Sequence, residues 1–284
     1  MGLSVAPLQK VWKGIKHASK LQPKFQIDLT KSHYRVKTVT EAWEFQEVLR
    51  LRYLVFNKEF KKAKSPIGWD VDDYDFLADH LIIIDQTVAK KPKIVGTYRM
   101  ILSTHSDRFY SENEFDLKKF LALPGIKLEL GRACIHPLYR KGSVINLLWR
   151  GVSEYMKQSK ADYLFGCSSA RITDLDTVWA VFQSLWHRGV IDMSLGIHPI
   201  KSFRLPGLAN RLLKGVSAES AALSADDKDK VQALIPPLLE MYLMAGAKIH
   251  GLPALDRDFS CVDFLTILET SKLSEPFLRR YHSE

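Results

Sequence analysis

A chain of 284 residues with 46% apolar and 26% charged residues has the mix of a folded soluble protein, which excludes disorder as its main state. Basic residues outnumber acidic ones 41 to 32, and the surplus of 9 favours an anionic partner: nucleic acid, a phosphate-bearing group, an acidic protein or a lipid surface. Cys134, Cys167 and Cys261, odd in number and without a CxxC pair, exclude a disulfide framework and a four-cysteine zinc site, and predict a reducing, cytoplasmic compartment.

In chain order, the first twenty residues place Leu8, Val11, Trp12, Ile15 and Ala18 at helical spacing, with Lys10, Lys13, Lys16 and Lys20 around the rest of the circumference. This predicts a basic amphipathic arm over 1–30, suited equally to packing on the domain and to a membrane surface or partner. Lysines spread through its length do not fit a cleaved secretory signal. Tyr34 to Val39 reads as a strand, and Thr38 followed by Glu41 as a capping box opening a helix to about Asn57. Ala42, Phe45, Leu49, Tyr53 and Phe56 form its buried stripe, with Arg52 on the edge and in need of a partner. Residues 58–78 are irregular and charged, including Asp70, Asp72, Asp73 and Asp75, as expected of a covering segment.

His80 to Ile84 and Lys93 to Leu102 suit an antiparallel hairpin, and Lys127 to Ile135 a third strand. The run around Leu81 to Ile84 is the longest apolar one and falls far short of the roughly 18 to 20 residues that span a bilayer. His136-Pro137 stops the third strand, and Gly142-Ser143 opens a helix from Val144 to Met156. A strand over Asp162 to Cys167 and a helix over Asp174 to His187 follow. Residues 201–233 change to a basic and then Ala/Ser/Asp-rich composition, predicting an inserted, mobile lobe. A helix from Pro236-Pro237 to Ala245 and strands at Lys248 to Leu252 and Cys261 to Leu268 complete the order. The result is a mixed α/β domain over 31–284, with a sheet flanked by helices.

The most informative stretch is Glu129 to Ser143. A strand ends, a basic glycine-containing turn follows and a helix begins, so free backbone N–H groups and the positive helix end converge on one point. That makes an anion site suited to phosphate, with Arg140 and Lys141 adding charge and Gly142 permitting close approach. Arg52, Arg99 and Arg132 are cations in apolar elements, and Asp72, Asp75 and Glu129 are carboxylates available to partner them. Glu129 lies on the strand leading into the turn, where a carboxylate can serve as general base to an incoming amine. Cys134 fits a packed apolar residue better than a nucleophile, His136 fits a structural role, and Trp149 fits the core. No HExxH or close carboxylate pairing among the nine histidines suggests a metal.

Arg140-Lys141-Gly142-Ser143-Val144 after a strand is similar to the acyl-carrier loop of the GCN5-related N-acetyltransferase superfamily, in which backbone amides hold pantetheine phosphates. Val144 stands where a second glycine or alanine is usual, a departure that fits the branch taking its acyl group from acyl carrier protein. Arg52 to Phe56, Trp69, Asp72 to Asp75, Val95 to Arg99 and Glu129 to Arg132 resemble, in order and spacing, the charged framework of acyl-homoserine-lactone synthases. Asp79-His80-Leu81, Phe109-Tyr110-Ser111 with Glu114-Phe115-Asp116, Leu147-Leu148-Trp149, Pro236 to Leu239, Tyr242, Gly246-Ala247 and Asp263 are similar to the ornithine lipid branch, the N-acyltransferases that make lyso-ornithine lipid. The likeness covers roughly residues 34 to 281.

What the resemblance implies is a GCN5-related α/β N-acyltransferase with no permanently bound cofactor. A fatty or 3-hydroxy-fatty thioester on acyl carrier protein is the donor, and the α-amine of a free amino acid, ornithine first, is the acceptor. Glu129 takes the amine proton, and backbone N–H groups of Ala133, Cys134 and Ile135 face the developing oxyanion. Arg140, Lys141, Gly142, Ser143 and Val144 hold the pantetheine phosphate, and Arg52, Trp69, Asp72, Asp75, Arg99 and Arg132 form a charged network around the cleft. An anionic membrane surface is a further expected partner. Other readings stay open: glycine or another amino acid as acceptor, acyl-homoserine-lactone formation, and a non-enzymatic membrane-surface protein. Nucleic-acid binding lacks a helix-turn-helix, zinc spacing or aromatic-basic RNA motif.

Overall fold

In the computed structural model, residues 21–61, 68–88, 93–140, 143–215 and 225–281 are described. Residues 1–20 of the predicted arm, and Lys141 and Gly142 of the predicted phosphate turn, lie outside them. The chain divides into two compact units, one of residues 1–107, 128–161 and 281–284, the other of residues 108–127 and 162–280.

The first unit is built on five antiparallel strands in sequential order: β1 (Asp28–Lys31), β2 (Tyr34–Thr38), β3 (Asp79–Asp85), β4 (Lys93–Leu102) and β5 (Lys127–Ile135). Alternation along the strands sends Ile82, Ile84 and Cys134 to one face, where α1 (Ala42–Arg52) covers them with Phe45, Val48 and Leu49. The other face carries Val36 and Leu81 and meets α2 (Val144–Ser159) so closely that a methyl group on Gly151 would lie 2.7 Å from Leu81.

Two local expectations change in α1. Its N-cap is Glu41, and the carboxylate of Glu44 accepts the amides of Thr40 at 2.9 Å and Glu41 at 3.1 Å. The capping box therefore begins three residues later than Thr38, whose hydroxyl instead accepts the Ile27 amide at 3.0 Å. After Arg52, which is fully buried, the helix widens into a π-helix, Tyr53–Lys61, which shifts the register of the predicted stripe.

The second unit pairs β6 (Tyr163–Ala170) with β10 (Cys261–Glu269) over eight consecutive residues, with β8 (Lys248–His250) and β9 (Ala254–Asp256) also on β10, and β7 (Ile191–Asp192) parallel to β8. One face carries Ala170, Val262 and Phe264 into a core closed by α3 (Leu175–His187), α4 (Leu208–Leu213), α5 (Ala225–Ala233) and α6 (Pro237–Ala245). Leu208 and Val231 join that core, so the described parts of 201–233 are anchored to this unit. Gly251, at φ +80°, approaches the Ile197 carbonyl so closely that a Cβ would stand 2.2 Å from its oxygen, which leaves room for glycine only. Among the described residues, no helix is long and apolar enough to cross a membrane.

Candidate active site

In the first unit, three arginines and three aspartates form a closed ring. Arg52 Nε donates to Asp70 at 3.0 Å, and its two terminal nitrogens reach the two oxygens of Asp75 at 2.5 and 3.2 Å. Arg99 Nη1 bridges Asp75 at 3.2 Å and Asp72 at 2.6 Å. Arg132 closes the circuit, with Nη2 at 2.9 Å from Asp72 and Nε at 3.6 Å from Asp70. Each arginine thus spans two aspartates and each aspartate two arginines, so three charges of each sign balance locally.

Helix, strand and covering segment each contribute for a local reason. Arg52 comes from the end of α1, Arg99 from the interior of β4 and Arg132 from β5. The aspartates come from the segment after residue 67, where Asp72 caps a short 3₁₀ turn, Asp73–Phe76, and accepts the Tyr74 amide at 3.0 Å. Asp75 in turn accepts the Asp72 amide at 2.8 Å, so the turn presents both carboxylates inward. Trp69 packs against the α1 core beside them. Burial pushes the carboxyls of Asp70 and Asp72 up, but the arginines outweigh it and hold both below the usual carboxylate range. Beneath the ring, His80 lies in contact with Phe45 and shares a hydrogen bond of 3.1 Å with the Asp75 carbonyl. Its burial, only partly opposed by Asp75, lowers the imidazole to about 4, so the ring is neutral at pH 7.

The predicted network is therefore brought together, with Asp70 as the member missing from the expected set. Asp70 was visible as one of four acids in the covering segment, but nothing in the spacing singled it out.

β5 carries the expected base, Glu129, and the three residues whose amides were expected to face an oxyanion. The pairing with β4 slips between Thr97 and Arg99, and Arg132 sits in that bulge with φ +50°, in the left-handed region. A non-glycine residue held there costs about 1–3 kcal/mol, which the ion pairs of its side chain offset. Glu129 is buried and stands opposite Ile101. With Gly131 it shares the face over which Arg99 lies, since a Cβ on Gly131 would meet the Arg99 guanidinium at 3.9 Å.

Past the bulge, the His136 amide donates to the Val95 carbonyl at 2.8 Å. Alternation in the antiparallel ladder then turns the Cys134 amide toward Thr97 of β4 and the Ile135 amide to the opposite edge. Of the three amides expected to face an oxyanion, that of Cys134 belongs to the ladder. The Cys134 thiol packs in the α1 core, which gives it an apolar role.

The turn then folds locally. His136 Nδ1 accepts the Leu138 amide at 3.3 Å, and the Tyr139 hydroxyl donates to Asp85 at 2.9 Å. Arg140 is exposed, and its Nε donates to the Ile135 carbonyl at 3.3 Å. Ser143 is the N-cap of α2, whose first turn has no acidic residue. Ser143 makes no side-chain cap hydrogen bond, and that end has the positive potential that suits an anion. Val144 fills the space left by Gly96, where a Cβ would lie 3.2 Å from its Cγ1. Its side chain belongs to the core, and only its backbone is available to a ligand. Trp149 is fully buried in the same helix.

The second unit holds a feature that the spacing did not reveal. Glu114, Asp256 and Asp263 are all buried, with carboxylate oxygens within 4.8 Å of one another. Among the described residues they form the one group of acids, cysteines and histidines with a geometry that could hold a cation. Ser169 donates to Asp263 at 2.5 Å, and the Cys167 thiol lies 3.4 Å from the Ser111 hydroxyl and 3.6 Å from Glu114. Burial, then the neighbouring Asp263 and Asp256, push Glu114 well above the ordinary carboxyl range, so it retains a proton when ordinary carboxyls have lost theirs. Burial and the same acids push the Cys261 thiol up, which makes it inert as a nucleophile.

The acetyltransferase (GNAT) domain family matches residues 51–150, from the end of α1 into α2. The chain is 28% identical over 251 residues to an L-ornithine N(alpha)-acyltransferase of Rhodobacter capsulatus, a match spanning 85% of this chain and 92% of that protein. It is 29% identical over 263 residues to the enzyme of the same name in Brucella abortus, across 88% and 89% of the two chains. Among solved structures, it superposes on the CoA-dependent acyl-homoserine lactone synthase BjaI with a TM-score of 0.46 at 16% identity, over 83% of this chain and 79% of that one. For FeeM, an N-acyl amino acid synthase from uncultured soil microbes, the TM-score is 0.43 at 10% identity, over 87% and 93%.

Proposed function

We propose, for a chain that is an acyltransferase with a GNAT domain, that the reaction is transfer of a fatty or 3-hydroxy-fatty acyl group from acyl carrier protein to the α-amino group of ornithine, giving lyso-ornithine lipid. The observation that carries this reading is the likeness, over 85–89% of the chain, to proteins named L-ornithine N(alpha)-acyltransferase. It extends well beyond residues 51–150, the stretch matched by the GNAT domain.

The residues of the first unit fit the chemistry. Glu129 removes a proton from the ammonium of the amino acid, and the neutral nitrogen attacks the thioester carbonyl. A C–N bond forms, the carbonyl electrons move to oxygen, and backbone N–H groups beyond the β5 bulge, that of Ile135 among them, stabilise the oxyanion. Collapse breaks the C–S bond, the departing thiolate takes the second proton from the nitrogen to leave as the carrier's thiol, and Glu129 gives the first proton to solvent. Ser143, Val144 and the amides at the start of α2, with Arg140, Lys141 and Gly142, receive the pantetheine phosphate. The Arg–Asp ring fixes the covering segment over this face without donating to the reaction. Val144 departs from the glycine or alanine usual in the loop that the turn resembles, and that departure favours the carrier protein over coenzyme A as donor. A product with one long chain belongs at the cytoplasmic face of a bilayer.

The test is an initial-rate assay of purified protein with ornithine and matched long-chain thioesters of acyl carrier protein and of coenzyme A. The expected result is N-acylornithine with release of one free thiol per turnover and a kcat/KM at least tenfold higher for the carrier-protein donor. Equal or higher kcat/KM with coenzyme A would overturn the donor assignment.

A further inference from the structure

We propose that the segment His198–Gly215 of the second unit is a docking surface for an anionic lipid bilayer. From residue 198 to 215 the sequence has Lys201, Arg204, Arg211 and Lys214 and no acidic residue. The structure gives these cations unequal roles. Arg211 is ion-paired with Asp176 on α3 and helps to fasten α4 to the unit. Lys201, Arg204 and Lys214 are exposed and make no ion pair among the described residues. Three cations are thus left for an outside anion.

The apolar part is as specific. Leu208 is buried in the core and anchors the start of α4, whereas Leu213, at its end, is 85% exposed, the most exposed large apolar side chain among the described residues. Beside the helix lies a cavity of about 450 Å³, walled by Pro199, Leu205, Pro206, Leu208 and Leu252, with His198 and Arg204 among its lining residues. The surrounding backbone is held in place: Arg204 Nε donates to the Pro199 carbonyl at 3.2 Å, and Arg257 donates to the Ser202 carbonyl at 2.5 Å. A fixed platform therefore presents one protruding leucine, an apolar recess and three exposed cations that have no carboxylate partner among the described residues.

That combination matches lipid better than protein. A folded protein partner buries about 800 Å² of each surface around a closely packed core, whereas the apolar surface here is one leucine beside a recess. A bilayer accepts a single inserted leucine among cations that meet phosphate headgroups, and each Lys or Arg at an anionic surface strengthens binding by roughly fivefold. The residues assigned above to the pantetheine phosphate belong to the other unit. The inference rests on the acyltransferase reading only for its motive, a fatty product bound for lipid, and its test does not involve turnover.

The full chain is sedimented with vesicles of phosphatidylcholine alone and of phosphatidylcholine with phosphatidylglycerol. Three proteins are compared: the wild type, K201Q/R204Q/K214Q and L213D. All these side chains are exposed, and far-UV circular dichroism checks the fold. The wild type should pellet with the anionic vesicles, the triple variant should partition about 10²-fold less, and L213D about tenfold less. Wild-type affinity in the triple variant, or no wild-type binding to anionic vesicles, would overturn the proposal. So would loss of acyl-carrier-protein capture by the triple variant together with intact vesicle binding, because the surface would then belong to a protein partner. Failure here leaves the acyl-transfer assay untouched, so the two readings fail separately.

Discussion

Replacing Arg52 by methionine keeps most of the apolar stem and removes the link between Asp70 and Asp75. Asp75, with no exposed surface, loses bonds of 2.5 and 3.2 Å and keeps Arg99 at 3.2 Å and the Asp72 amide at 2.8 Å. Asp70 keeps Arg132 at 3.6 Å. Removing one partner of a buried ion pair costs about 3–5 kcal/mol, and the bonds that survive on Asp75 place R52M near about 3 kcal/mol at pH 7. R52K should fall between, because one ammonium cannot present the two-pronged fork that Asp75 accepts. The sign of the pH effect follows from the carboxyls. Asp70 and Asp72 are held low in the fold, so their contribution is full above about pH 4 and is lost as pH falls further. The deficit of R52M should therefore shrink in acid. Urea unfolding followed by tryptophan fluorescence at pH 7 and pH 3.5 measures both. An R52M protein within about 0.5 kcal/mol of wild type at pH 7, the range of an ordinary surface change, would refute the buried ring.

Three further outcomes are expected. His80 is held near 4 by burial against an ordinary value of 6.5, so wild-type stability should decline by about 3 kcal/mol as pH falls from 6.5 to 4. H80Q should lack that part of the decline, and identical slopes in denaturant titrations would contradict it. Glu114 is raised, so the stability it contributes is complete below about pH 4.5 and is lost as pH climbs. E114Q should match wild type at pH 5 and exceed it in melting temperature at pH 9; a variant less stable at pH 9 would show that the carboxylate is wanted charged. E129Q should keep the fold and lower kcat by about 10² to 10⁴, the usual loss of a general base, and near-normal turnover from pH 6 to 9 would remove Glu129 from that role.

How much of this was legible in the sequence depends on the range of the determining contacts. β5 spans the expected residues because its run, with Leu128, Leu130 and Ile135 among its apolar members, is closed by His136-Pro137, a local stop. α3 and α6 are similarly bounded, by Asp174 as N-cap and by Pro237 at the first helical position. The π-helix after Arg52 leaves no such mark, since Tyr53, Val55 and Phe56 suit an α-helix equally. The bulge at Arg132 is also silent: its left-handed backbone is sustained by ion pairs with Asp70 and Asp72, sixty residues earlier, rather than by a glycine at that position. The predicted arginine network was readable because a cation within an apolar helix or strand demands a partner, while the 3₁₀ turn directs Asp72 and Asp75 inward and the Asp70 amide bonded to the Leu49 carbonyl places Asp70 beside α1. Glu114 lies about 140 residues before Asp256 and Asp263, and the pairing of β9 with β10 together with the placement of Glu114 brings the three together.

The central claim is the identity of the acceptor nitrogen. Purified protein is given one long-chain acyl carrier protein thioester and an equimolar mixture of ornithine, lysine, glycine and serine, and the products are fragmented by tandem mass spectrometry. The account predicts that ornithine acylated on its α-nitrogen dominates the early products. Acylation mainly of glycine or another amino acid, or of the δ-nitrogen of ornithine, would contradict it.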